Sequence, residues 1–215
     1  MQRRRTLRDD LHDEIVERIM TGILPPGDLI SESDLGDEFG VSRTPVREAI
    51  LQLGNENFVV TDPNRWTRVA ELDYDTIRCW YETIAMLEAL AAELAAGNLT
   101  DDQLQELRQI NTKMSAAIEA NDATEARRLD DAFHRIIAAA AQRPHLESLI
   151  EQHRKKLRWA DVVFFAEGDL RRQAVPEHQE ILHALERGNR ATAGRLTRKN
   201  WERGIEHLSV NRPNA

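Results

Sequence analysis

Apolar residues recur along the first seventy positions at two spacings. Leu7, Leu11, Ile15, Ile19 and Met20 fall on one stripe at about 3.6 residues per turn, which predicts an amphipathic helix. That helix ends at Thr21, with Gly22 in the C-terminal position. "PPGDLIS" reads as a turn, and Ser31 or Ser33 can cap a short helix through "DLGDEF" that Gly40 closes. A tight turn at "VS" leads to a second short helix. Its expected cap is Thr44, with Pro45 in the first turn and Val46, Ile50 and Leu51 facing inward. "FVVT" and "TRVAEL" are β-prone runs, and "DPNR" between them marks a hairpin. Helix, turn, short helix, turn, short helix, hairpin is the order of a winged helix-turn-helix.

Past Leu72 the texture changes to long 3.6-period segments, as in Ile77, Tyr81, Ile84, Leu87 and Leu94. They are broken only by short signals such as "GNLTDD", "AND", "QRPH", "AEGDL" and "RGNR". Six helices are predicted, over 74–96, 100–120, 122–141, 144–165, 169–186 and 190–210. Long helices with short links point to an antiparallel bundle. The predicted class is mainly α, a winged helix-turn-helix over 1–72 followed by an all-α bundle over 73–215.

Composition narrows the function. Among 215 residues, 31% are charged and the formal net charge is −8, so the chain would not coat nucleic acid indiscriminately. Any polyanion would have to meet a local basic patch. The single cysteine, Cys79, excludes an internal disulfide and suits a reducing cytoplasm. No apolar run spans a bilayer and the basic N-terminus lacks the apolar stretch of a signal peptide, so a cytoplasmic protein with no membrane partner is expected.

One local patch stands out. Arg43 and Arg47 lie one turn apart at the start of the second short helix. Cations are disfavoured at that end, where the macrodipole is positive. The pattern makes sense if a polyanion sits there. In a helix-turn-helix the second helix enters the major groove, N-terminal residues first. Arginine can donate to O6 and N7 of guanine together. Ser42 and Thr44 offer hydroxyls and helix-start amides to phosphate. Arg65 and Arg68 sit at the tip and flank of the wing, and Arg3 to Arg5 form a basic arm. Taken singly, each of these is equally the pattern of a solvated face; their ordered combination carries the argument.

"LPPGDLISESDLGDEFGVSRTPVREAILQL" closely resembles the N-terminal domain of the GntR transcription regulators, and the match continues through "NRWTRVAEL". Trp66 stands where that family commonly has glycine. The helical half resembles the FadR-type effector domain, also called FCD. The resemblance implies a homodimer that binds a double-stranded palindromic operator and responds to a small metabolite, often a carboxylate. Carried over by position, the DNA contacts are Arg43, Thr44, Arg47 and Arg65, with Ser42 close by.

In the helical half, Asp130 and His134 stand at i and i+4 and so share one helix face. His178 begins another face. Asp with His from facing helices suits zinc or a similar divalent ion, although the pair alone is equally an ordinary intrahelical contact. Metal-binding FCD domains, by resemblance, join such a pair to two further histidines; His178 matches one, and Asn200 stands at the other. His183 is expected to face elsewhere. For an effector carboxylate the candidate forks are Arg78, Arg154 and Arg158, again with a solvated face as the alternative. The family's frequent arginine in the first FCD helix is Ile84 here. Trp80, Trp159 and Phe164 are candidates to line a pocket or to be plain core.

The leading expectation is a ligand-responsive transcription regulator. The alternative from another class is a metal-dependent hydrolase using Asp130, His134 and His178, disfavoured because no second carboxylate stands out as a base and the Arg43–Arg47 module is left unexplained. A third is a helical scaffold whose N-terminal half binds protein.

Overall fold

The structure, a computed structural model, describes residues 6–63, 65–164 and 170–210. It divides into two compact units, Met1–Asp73 with Arg158–Val163, and Tyr74–Leu157 with Phe164–Ala215. Arg3 to Arg5 lie outside the described residues, as do the predicted helix ends at 165 and 169.

The first unit starts with α1 (Leu7–Met20). Thr6 caps it reciprocally: its hydroxyl accepts from Asp9 N–H, and the Asp9 carboxylate accepts from Thr6 N–H at 3.0 Å. Leu11, Ile15, Val16 and Ile19 are buried, whereas Leu7 at the helix start is 52% exposed. Helix α2 (Glu32–Phe39) is capped by Ser31, and Gly40 ends it at φ 64°, a conformation glycine adopts without a Cβ clash.

Helix α3 (Arg43–Asn55) has its cap two residues before the expected one. Ser42 is its N-cap, and Thr44 and Pro45 lie inside the first turn. Proline is tolerated there because the first four helical N–H groups have no intrahelical partner in any case. The inward face is Val46, Ala49, Ile50 and Leu53; Leu51 is 62% exposed, because a 3.6 repeat from Val46 and Ile50 reaches Leu53 and leaves 51 outside.

Strands β2 (Val59–Asp62) and β3 (Trp66–Val69) form the predicted antiparallel hairpin, with Val59 opposite Val69 and Asp62 opposite Trp66. A third strand, β1 (Leu29–Ile30), pairs with β3 in the order β1-β3-β2. Strand β1 falls within the predicted turn, because two residues are too short to show alternation. The stretch of α7 (Pro144–Phe164) in this unit brings Trp159, fully buried, against Phe58 with ring centroids 5.5 Å apart. Trp159 is therefore core and not a pocket wall.

The second unit contains α4 (Tyr74–Ala95), α5 (Asp101–Glu119), α6 (Ala123–Ala140), most of α7, α8 (Leu170–Glu186) and α9 (Arg190–Val210). Thr100 with Gln103 forms a capping box on α5, and Asp122 caps α6. Leu107, Met114, Phe133, Ile137, Ile181 and Leu182 centre the core. Alanines at 92, 95, 126, 140 and 193 surround them and let helices approach closely. At Gly204 of α9 a Cβ would fall 2.2 Å from the Tyr81 ring of α4, so only glycine fits that contact as it stands. No described helix is long and apolar enough to cross a membrane.

Candidate nucleic-acid interface and metal centre

The N-terminus of α3 is an open cationic surface. Ser42, Arg43, Thr44 and Arg47 are all exposed, while Val46 anchors the opposite side at 0% exposure. Ser42, Thr6, Ser31, Thr100 and Asp122 are all N-caps, but Ser42 alone of these makes no side-chain bond to its own helix. The first turn of α3 contains no acid. Neither Arg43 nor Arg47 has a carboxylate partner among the described residues. The acids of α1 and α2 are instead partly matched at home. Arg18 reaches Glu38 at 2.6 Å and Glu14 at 3.0 Å, and Arg8 holds Asp9 at 2.7 Å.

On the wing, Arg65 is 76% exposed and only loosely held by Asp62 at 3.4 Å. Trp66 and Arg68 share the exposed face of β3, and the Arg68 guanidinium lies 5.1 Å from the centre of the Trp66 ring. Trp66 therefore braces a wing cation. A buried histidine that sequence reading missed supports α3 from behind. His12 (4% exposed) bonds Glu56, the C-cap of α3, at 2.9 Å and faces Asp13 at 3.2 Å. Burial pushes its pKa down, but the two carboxylates outweigh it and the net direction is up.

The second site lies in the helical unit. Asp130 and His134 from α6 meet His178 from α8, with one donor atom from each lying within 4.8 Å of the other two. His134 and His178 are 1% and 0% exposed. The His178 ring stacks flat on Phe133 at 4.0 Å and meets His134 edge-on at 5.1 Å. Its Nε2 lies 3.3 Å from Asp130 Oδ1, close but misaligned, so neither of its ring nitrogens has a hydrogen-bond partner among the described residues. Orphaned buried nitrogens of this kind call for a further partner. Burial pushes Asp130 up, but His178 and His134 more than offset it, and the carboxyl is held below its usual range. Burial pushes His178 down despite Asp130, which favours the neutral imidazole that a metal needs.

One carboxylate and two imidazoles fit a divalent first-row ion. Three protein donors match the pattern of a site that keeps a position for an exogenous ligand. The fourth expected position behaves differently. Asn200 donates its amide to Glu177 Oε2 at 2.8 Å, and Glu177 is also ion-paired to Arg203. Asn200 is thus tied to a neighbouring pair, its amide nitrogen engaged by the Glu177 carboxylate.

The structure does not bring the three effector arginines together. Arg78 is exposed and pairs with Glu82 one turn on, at 2.8 Å. Arg158 lies in the portion of α7 that belongs to the first unit. Arg154 is 2% exposed, and all three of its nitrogens are engaged: Nε and Nη2 by Glu88, Nη1 by the carbonyl and carboxylate of Asp131. It is not an open fork for an effector carboxylate, which corrects the sequence expectation. Trp80 is buried beneath the Lys156 ammonium, 5.7 Å from the ring centre. The side chain of Phe164 lies outside the described residues. His183 bonds Gln179 on an exposed face, away from the cluster.

Sequence reading missed Glu88 and Trp201, which flank His134. Glu88 sits on the α4 stripe with Ile77, Ile84, Ala91 and Ala95, and a charge on an apolar face is itself the signal that a partner waits inside.

Two family models match the chain: "Bacterial regulatory proteins, gntR family" over residues 7–69, and "FCD domain" over residues 80–203. The chain is similar to the HTH-type transcriptional regulator YdhC of Bacillus subtilis, at 26% identity over 92% of this chain and 88% of that one. It is 32% identical to the Nta operon transcriptional regulator of Aminobacter aminovorans, over 63% of this chain and 64% of the relative. Among solved structures it shares its fold with E. coli McbR/YncC, at TM-score 0.76 and 23% identity over 96% of this chain and 99% of that one.

Proposed function

Because the chain belongs to the GntR family of bacterial regulatory proteins and carries an FCD domain, we propose that it is a cytoplasmic homodimer that recognises a palindromic operator. Ser42, Arg43, Thr44 and Arg47 on α3 enter the major groove, and Arg65 and Arg68 on the wing meet the backbone or minor groove. The observation that carries this reading is the exposed cationic start of α3, without a carboxylate partner among the described residues, in a chain of net charge −8. Non-specific affinity is then weak and specificity rests on base contacts and pairing of two heads.

In the helical unit, Asp130, His134 and His178 hold a divalent ion, zinc or similar. A small organic or sugar acid is the effector, its carboxylate suited to the position the protein leaves open. Effector binding shifts the presentation of the two DNA-binding heads. A hydrolase reading of the same cluster finds no support in relatives named as transcriptional regulators.

The test is a gel shift with the promoter fragment neighbouring the gene. Wild-type protein gives a sequence-specific shift and Arg47→Ala abolishes it. A shift that Arg47→Ala leaves intact removes α3 from the interface.

A further inference from the structure

Glu88 has an unusual way of pairing. It is fully buried on α4, and Arg154 (α7) is buried with it. A carboxylate and a guanidinium paired only for stability favour the two-pronged arrangement, with both oxygens used. Here Nε, at 2.8 Å, and Nη2 of Arg154 both converge on Oε1. The other oxygen, Oε2, has no hydrogen-bond partner among the described residues and faces Nδ1 of His134 at 3.5 Å; that nitrogen too is buried and, among those residues, unbonded. Two complementary buried groups are left facing each other, at a cost neither helix packing nor the arginine explains.

We propose that Glu88 is a positioning residue for the metal centre: its Oε2 accepts a hydrogen bond from the Nδ1–H of His134 and so directs the opposite ring nitrogen, Nε2, towards the ion. The proposal rests on the metal reading of Asp130, His134 and His178. Metal-bound imidazoles characteristically give their second ring N–H to a carboxylate, which fixes tautomer and orientation. Arg154 holds Glu88 in turn, since Asp131 of α6 captures its Nη1 and leaves the guanidinium no freedom to swing. The ring of His134 is further confined by Phe133 at 5.6 Å and Trp201 at 5.2 Å. Arg154 thus serves the centre indirectly, through Glu88 and His134.

Zinc binding to tag-free, full-length protein, measured by competition with a chromophoric chelator, tests this. Glu88→Leu with Arg154→Met removes both buried charges together, which commonly preserves folding. The folded double variant is expected to bind zinc about 10–100-fold more weakly. Glu88→Gln with Arg154→Met, whose amide oxygen still accepts from Nδ1, is expected to recover part of that loss. Zinc affinity equal to wild type in the folded Leu/Met variant overturns the proposal. Wild-type protein that binds no zinc overturns it differently, by retiring the metal centre itself. Nitrogen-15 histidine NMR of the zinc-loaded wild type needs no variant. Protonated Nδ1 and coordinated Nε2 on His134 are expected, and coordination through Nδ1 overturns the assignment.

Discussion

The start of α3 and the middle of α7 carry the same two residues at the same spacing, Arg43 with Arg47 and Arg154 with Arg158. On α3 both cations stand in solvent with no carboxylate partner among the described residues. On α7, Arg154 is wrapped by Glu88 and Asp131, and four residues later Arg158 belongs to the other compact unit. Spacing places a guanidinium on a helix face; the neighbours decide whether it is offered outward or used up. An unsatisfied exposed cation costs little and is available to a ligand, whereas an unsatisfied buried one is intolerable, so the protein supplies its partners.

That contrast can be broken most forcefully at Arg154. Arg154→Ala leaves Glu88 buried and unpaired, and should cost about 3–5 kcal/mol in denaturant unfolding. If it costs under about 1 kcal/mol, in the range of exposed pairs, the buried network is not what holds α4 to α7. On α3 the expectation inverts. Arg43→Ala should leave the melting temperature unchanged while weakening discrimination of the operator from mismatched DNA by about 1–3 kcal/mol, read by fluorescence anisotropy. Equal discrimination would place Arg43 off the base edges. Arg65→Ala on the wing should weaken all sequences alike and lower the salt-dependence slope by about one, as expected for a single phosphate contact. An unchanged slope would remove the wing from the phosphate backbone.

The smallest effect is expected at His12. Its folded pKa is raised, so its stabilising contribution is fully present below the unfolded value near 6.5 and is lost as pH rises through the folded value. The stability advantage of wild type over His12→Gln should therefore shrink as the medium is made alkaline. An advantage that grows with pH would mean the imidazole is held neutral by burial instead.

Much of this architecture was legible in the chain. Long 3.6-period stripes and cap residues such as Thr100 and Asp122 located the bundle helices to within a residue or two, because capping and periodicity are local properties. The Asp130–His134 pair was legible for the same reason, being one turn of one helix. Ser42, by contrast, displaced Thr44 as cap, since a proline in the first turn signals a helix start without saying which residue precedes it. Strand β1 was invisible because its pairing with β3 is non-local. The engagement of Arg154 with Glu88 joins residues 66 apart, and that of Asn200 with Glu177 joins residues 23 apart. No spacing rule reports such contacts, so the reading of Arg154 as an effector fork failed there.

The proposed regulator depends most on the exposed start of α3 reading base edges. Selection of bound duplexes from a random-sequence DNA library by the full-length protein measures this directly. The predicted result is enrichment of one two-fold symmetric site, lost when Arg43→Ala and Arg47→Ala are combined in a protein that melts like wild type. Failure to enrich any sequence, or the same enriched site with both arginines removed, would contradict it.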